Sequence, residues 1–264
     1  MGASLAAWAE AAGARRAATA GRGTLTALAS GGQDLLLIAV SDAAVSDVAA
    51  ALAGRPQAAV ALHTSGSQGA EALAPLRGAG SAIGSLHPLK AFPRPLPDPL
   101  EARGVFFAVD GDPAACALAA RLAVAWGGEA AAVPAAARSL YHFGATLAAG
   151  GAVTLLAAAE EIAERLGLPA AVVRGYLELQ RGAAAAAMAA HAAGERLGAA
   201  LTGPAARGDR GLVARQLDEL AALAPEKLRL AVELARETLR QRERAGPLSA
   251  EHRALLADLE RRRG

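Results

Sequence analysis

Leu35-Leu36-Leu37-Ile38-Ala39-Val40 is the stretch that decides the fold. A continuous apolar run of this length has the character of a strand buried on both faces, as strands of parallel sheets are. Working outward, further strands are expected over Arg15–Ala20, Ala58–Leu62, Ser81–Leu86, Val105–Val109 and Ala130–Val133, with the first run extending from Asp34. Helix-like stretches fall between them at Ala3–Ala12, Ala43–Leu52 and Pro113–Trp126. Asp112 is expected at the N-cap of the last of these, with Pro113 at its first position. This alternation is the βαβα pattern of a mainly parallel sheet. From Ala135 onward no strand is expected. Five helices fit there: Ala137–Leu166, Pro169–Gly198, Arg210–Leu223, Pro225–Arg244 and Ser249–Arg262. The expected organisation is therefore an α/β domain with a mainly parallel sheet over residues 1–134 and an all-α domain over residues 135–264.

The bulk composition narrows the function classes. With 27 basic and 25 acidic residues the net charge is +2. A nucleic-acid footprint needs clustered charge, and Arg261, Arg262 and Arg263 read as a solvated helix end, so no nucleic-acid partner is expected. Cys116 is the single cysteine, which rules out an internal disulfide and a CxxC motif and points to a reducing cytoplasm. No stretch runs for about 18 apolar residues without charge or Gly, so no membrane span is expected. Met1 to Trp8 carries no charge, unlike the basic start of a signal peptide. The alanine abundance fits a GC-rich bacterial genome.

A dinucleotide-binding domain opens with a strand, then G-x-G-x-x-G, then a helix whose N-terminus holds the pyrophosphate. Gly2-Ala3-Ser4-Leu5-Ala6 reads as the last glycine of that fingerprint and the helix after it. The alternative is that Gly2 is an ordinary start residue. On the first reading, a strand and the G-x-G loop lie upstream of Met1, and Met1 stands where the fingerprint has Val. That strand would lie between Arg15–Ala20 and Leu35–Val40.

Ligands of such sheets bind at the C-terminal ends of the parallel strands. Val40, Ser41 and Asp42 end one strand, and His63, Thr64, Ser65 and Gly66 end the next, so these residues are expected to hold a cofactor. Asp42 has a second reading as N-cap of the following helix, and Ser67 as the start of another. Thr19-Ala20-Gly21-Arg22-Gly23 lacks the acidic residue that accepts from the ribose hydroxyls of NAD. Arg22 is then the candidate clamp for the 2′-phosphate of NADP, or else ordinary surface. His87 can give or take a proton near neutral pH, and Pro88 holds it extended. Its other reading is a structural one, shaping the Pro-rich loop Phe92–Pro99. Lys90 is close enough in sequence to orient an anionic substrate or polarise a carbonyl. His63, His87 and His142 have neither H-x-x-x-H spacing nor a Cys partner, so no metal site is expected. Asp209 is placed to cap the helix that begins near Arg210, and Arg207 to reach a carboxylate.

Several segments taken in order carry a resemblance. They are Ala39-Val40-Ser41-Asp42, His63-Thr64-Ser65-Gly66, Gly84-Ser85-Leu86-His87-Pro88-Leu89, Tyr141-His142 and Leu201-Thr202-Gly203-Pro204-Ala205-Ala206-Arg207-Gly208-Asp209. The chain resembles Rossmann-like proteins that carry the C-terminal domain of unknown function 2520, relatives of pyrroline-5-carboxylate reductase and the deazaflavin-dependent NADP reductases. That resemblance implies an NADP-type binding fold, a helical domain that forms a homodimer, and a small substrate in the cleft between the domains. Read from the residues themselves, the candidate catalytic set is His87, Lys90 and His142, the last with a second reading as a satisfied structural histidine on an apolar helix. The family tends to carry a Ser-Asn pair where this chain has Ala149-Gly150. Two functions follow: an NADP-dependent oxidoreductase, or a non-catalytic nucleotide-sensing or dimerisation protein that retains the fold.

Overall fold

The computed structural model describes residues 1–21, 25, 32–55 and 58–262. Two compact units divide it, Met1–Gly151 and Ala152–Gly264.

The first unit opens with α1 (Gly2–Ala11), followed by β1 (Leu35–Ile38), α2 (Val45–Leu52), β2 (Val60–His63), the short α3 (Ala74–Arg77) and β3 (Ala82–Pro88). β4 (Phe106–Gly111), α4 (Pro113–Ala125), β5 (Glu129–Ala132) and α5 (Arg138–Thr146) complete it. The sheet runs β1-β2-β3-β4-β5. β1, β2 and β3 are mutually parallel, as are β4 and β5, and only the β3–β4 pair is antiparallel. The mainly parallel sheet expected from the apolar runs is the one observed.

Arg15–Ala20 is a correction, because those residues form no strand and lie almost wholly exposed. Two arginines among small residues offer little apolar area to a sheet face, and Arg16 pairs with Glu10 of α1 instead. The Leu35 run is shorter than expected and sits at an end of the sheet, with β2 as its neighbour among the described residues.

Apolar side chains cover both faces. On one, Leu5 and Trp8 of α1 and Ala115, Ala119 and Ala123 of α4 pack with Val60, Leu62, Leu86, Phe107 and Val109. On the other, Val45, Ala49 and Leu52 of α2 and Leu73 and Leu76 pack on Ile38, Ala61 and Ile83. Odd-numbered and even-numbered positions of β2 and β3 thus face opposite layers, as the two-residue period of a strand requires. The Pro-rich loop is fixed from α1: Trp8 Nε1 donates to Leu96 O at 2.9 Å and Leu96 N donates to Ser4 Oγ at 2.9 Å. Asp112 stands at the N-cap of α4 as expected, but its carboxylate turns away to Ile83 N and Arg77.

The second unit consists of α6 (Ala152–Arg165), α7 (Ala171–Ala192), α8 (Pro204–Arg207), α9 (Arg210–Leu223), α10 (Pro225–Ala245) and α11 (Ala250–Arg261). Val213 and Leu217 of α9, Val232 and Leu239 of α10, and Leu255 and Leu259 of α11 form its core, so the leucine stripes are packing surfaces. Asp209 caps α9 through Leu212 N at 3.1 Å, as its position predicts. His252 Nε2 lies 2.9 Å from Ala206 O, tying the Thr202–Asp209 segment to α11. Arg207 is exposed. The helical stretch Ala135–Arg165, 31 residues, is long and apolar enough to cross a membrane by length and composition. No such segment is expected from the sequence, where charge and any Gly count as interruptions, and Gly144, Gly150 and Gly151 fall in this stretch. In the structure Gly150 and Gly151 lie in a π-helical turn, Leu147–Gly151, that carries the helix on.

Candidate functional site

The polar residues of the first unit gather at the C-terminal ends of β2 and β3. His63 pairs in register with Ser85, and Ser85 with Asp110, so these three side chains form a row on one sheet face. Two residues on, His87 follows Ser85 on that same face. α5 lies against this row. Its Arg138, Tyr141 and His142 are spaced i, i+3 and i+4, which places them on one side of the helix. Two contacts join helix to strand: Arg138 Nη2 donates to Ser85 Oγ, and Tyr141 Oη lies 3.0 Å from His87 Nδ1.

His63 is completely buried, and its proton can be located. Ser65 N donates to Nδ1 at 3.2 Å, so Nδ1 is bare and the proton sits on Nε2, donating to Gly69 O at 3.0 Å. Burial lowers its pKa from the ordinary histidine value, with the positive charge of Arg138 acting in the same sense. Both ring nitrogens are engaged. His63 is the pin of the loop after β2, and its chemistry is spent on holding Ser65 and Gly69.

His87 is 8% exposed. Burial, helped by His142, Arg138 and His63, holds its pKa down to about 4. The ring is therefore neutral at neutral pH. Tyr141 is half-buried, and burial raises its pKa, so the phenol keeps its proton. A neutral imidazole and a phenol carry two exchangeable protons between them, and their mutual hydrogen bond uses one. The other is free for a reacting group, from the phenol oxygen or from Nε2 according to which partner donates. The rings of His87 and Tyr141 stand 5.6 Å apart at 89°, and those of His87 and His142 5.5 Å apart at 81°.

Gly66 makes this clustering fit. A Cβ there would stand 2.3 Å from His142 Nδ1 and 2.7 Å from His87 Nε2, too close for any side chain without displacing both rings. Gly2 is also a close approach, since a Cβ would lie 3.0 Å from that of Ala39 just beyond β1.

The loops after β1 and β2 are cross-linked. Ser67 Oγ donates to the Asp42 carboxylate, Gln68 Nε2 donates to Asp42 O at 2.6 Å, and Gln68 N donates to Ser65 Oγ at 3.1 Å. Asp42 begins a short 3-10 turn, Asp42–Ala44, with Ser41 at its N-cap position, and makes no side-chain cap. Its carboxylate serves the loop crosslink, and so does Ser67, which starts no helix. Val40 is partly buried and Ser41 exposed beside it. Thr64 Oγ1 and Gln68 Oε1 in the loop after β2 are buried with no partner, polar atoms left for a ligand to satisfy.

The structure draws His87, His142 and the His63–Gly66 segment together, but not Lys90, whose ammonium lies 2.9 Å from Glu101 Oε2 in an ion pair. Arg22 lies outside the described residues. Three residues escaped the sequence reading. Arg138, Gln68 and Asp110 have no motif of their own, although Arg138 shares its helix face with Tyr141 and His142, and that spacing was visible.

Residues 105–249 match the family described as domain of unknown function (DUF2520), and residues 4–88 match the family described as Rossmann-like domain. Among solved structures, protein TM1727 from Thermotoga maritima aligns with a TM-score of 0.67 at 24% identity, covering 82% of this chain and 81% of that one. The "putative NADP oxidoreductase BF3122" from Bacteroides fragilis aligns with a TM-score of 0.68 at 19% identity, covering 89% and 93%. At these identities the likeness is one of fold. No curated protein matches the chain.

Proposed function

We propose that this chain, which belongs to the DUF2520 family, is an NADP-dependent oxidoreductase that reduces or oxidises a small substrate at a C=O or C=N bond. The observation that carries this reading is the His87–Tyr141 hydrogen bond at the C-terminal end of β3, where ligands of such sheets bind. When bound, a nicotinamide supplies the hydride; the residues of this chain hold and move the proton. In the reducing direction the pair protonates the substrate oxygen or nitrogen, and in the oxidising direction it removes that proton. His142 crowds the pair and limits the space beside it, while Lys90 is held by Glu101 and has no part in the proton step.

The loops after β1 and β2 support a cofactor position through Ser41, Asp42, Thr64, Ser65 and Gly66, with His63 as their pin. Preference for NADP rests on the missing acid in Thr19–Gly23 and on Arg22. A second copy of the chain completes the functional unit. Leu140, Phe143 and Leu147 form a continuous exposed apolar stripe on the far side of α5 from Arg138 and Tyr141.

Fluorescence titration with NADPH, NADH and a reduced deazaflavin tests the reading, and NADPH is expected to bind most tightly. If the protein binds none of them, the oxidoreductase assignment falls. Binding without turnover across a panel of aldehydes, ketones and imines would favour the nucleotide-sensing alternative. Arg22→Ala should weaken NADPH more than NADH, and equal losses would remove Arg22 from 2′-phosphate recognition.

A further inference from the structure

Two arginines among the described residues are deeply buried, and they are treated differently. Arg236 in the second unit is 2% exposed and is answered by the carboxylates of Glu260 and Glu233. Arg138 is 0% exposed and forms no ion pair among the described residues, the carboxylate of Asp110 favouring its charge only from beyond pairing distance. Its partners are neutral: Nε donates to Val133 O at 3.2 Å and Nη2 to Ser85 Oγ, while Nη1 is buried with no partner at all. The carboxylate in its row, that of Asp110, accepts from Ala70 N at 2.8 Å and makes no ion pair with it. A buried cation held by neutral partners and a carboxylate at a distance is costlier than one in a close ion pair, and its unpartnered Nη1 is a donor that an anion would satisfy.

The neighbours of Arg138 suggest the use. Ser85, its anchor, is two residues from His87 on the same strand face, and Tyr141 and His142 follow one turn later on its own helix face. His142 Nδ1 and Thr64 Oγ1 are further buried polar atoms without partners. Arg138 lies deepest, with the half-buried Tyr141 and His142 nearer the surface.

We propose that Arg138 is a substrate-binding residue that anchors a carboxylate, so that the substrate is a 2-oxo or 2-imino acid, or the corresponding hydroxy or amino acid. The guanidinium fork holds the carboxylate, with Nη1 as its free donor. The adjacent C=O or C=N carbon then lies on the His87–Tyr141 side. This inference takes the reaction from the proposed function, but carboxylate binding stands apart from turnover and is measured separately.

The test is calorimetric titration of the full chain with pyruvate, 2-oxobutyrate and phenylpyruvate, each beside its methyl ester, with and without NADPH. At least one acid should bind about 10- to 100-fold more tightly than its ester, the ratio expected for a charge-assisted hydrogen bond. Arg138→Met should erase that preference, and Arg138→Lys should keep part of it. Acids and esters that bind alike, acids that bind in neither condition, or a preference that survives Arg138→Met would each overturn the proposal. Should Arg138→Met not fold, the acid-to-ester ratio of the parent and its reduction in Arg138→Lys decide. A carboxylate preference without any NADPH binding sinks the oxidoreductase reading and leaves the anchor; NADPH binding without the preference does the reverse.

Discussion

His87 Nδ1 and Tyr141 Oη lie 3.0 Å apart, one at the end of β3 and the other on α5, 54 residues further along the chain. The contact couples a ring kept neutral by burial to a phenol kept protonated by the same burial. Neither side chain alone has this property. Tyr141→Phe should therefore lower kcat/KM by about 100-fold or more, in the range that general acid–base groups contribute. The Kd for NADPH should stay within about 2-fold, a change well under 1 kcal/mol. His87→Gln should match Tyr141→Phe, and the double variant should lose little more, because the two act as one unit. Additive losses would show that they act separately.

The depressed pKa of His87 has a consequence for stability. Its unfolded value is near 6.5 and its folded value about 4. Above pH 6.5 both states are neutral and the group contributes no slope. Between 6.5 and 4 the unfolded chain takes up a proton that the folded chain refuses, so stability falls as pH falls, and the effect levels off below about 4. His63, also lowered, adds in the same direction. Urea denaturation from pH 7 to pH 4 should show this decline, and His87→Gln should flatten it in part. An unchanged slope in that variant would mean that His87 titrates normally.

How much of this was legible in the residues differs between backbone and site. The Leu35 run, the Asp209 cap and the helical half follow from local pattern, because apolar spacing and capping chemistry act within a few residues. The absence of a strand at Arg15–Ala20 does not, since strand formation depends on a neighbour and not on the segment alone. Both His87 and His63 stand at a strand end in sequence, the first read as the proton-transfer candidate and the second as a cofactor contact. The loop fold makes His63 a pin of Ser65 and Gly69, while register and α5 bring His87 against Tyr141. Lys90 lay three residues from His87, yet Glu101 holds it in an ion pair. Arg138 was hidden for the opposite reason, because an arginine early in a helix reads as surface unless its burial is known.

Gly66 sets how closely the rings can gather. Gly66→Ala should displace His142 and His87, whose ring atoms lie under 3.0 Å from the new Cβ. The stability cost should be modest, about 1–3 kcal/mol, since side-chain ends yield more readily than backbone. Activity should fall by far more than stability, as a shift of about 1 Å in positioned groups can cost about 100-fold. Wild-type kcat in a stably folded Gly66→Ala protein would contradict the crowded geometry.

Trp8 is the largest wholly buried side chain and holds the Pro-rich loop through Leu96. It also stacks at 5.8 Å on Phe92 and 6.0 Å from Trp126. Trp8→Ala should cost about 3–5 kcal/mol in urea denaturation. Trp8→Phe should recover most of the packing while still losing the indole N–H bond, and should release the Phe92–Pro99 loop to proteolysis at a near-parental melting temperature. Equal protease resistance in Trp8→Phe would place the loop's anchor elsewhere, on Ser4.

Leu140, Phe143 and Leu147 are 76%, 56% and 59% exposed, although their neighbours on the same helix carry the site. Spaced i, i+3 and i+7, they form one stripe, and an apolar stripe of that kind is usually covered by a partner. If a second copy covers it, sedimentation should give twice the chain mass for the parent protein. Leu140→Asp together with Phe143→Asp should convert it to a monomer, because burying two carboxylates in an apolar interface is strongly unfavourable. The positions point away from His87 and Tyr141, so NADPH affinity in the monomeric variant reports whether the dimer is needed for binding or only for stability. A parent protein that sediments as a monomer would refute the homodimer.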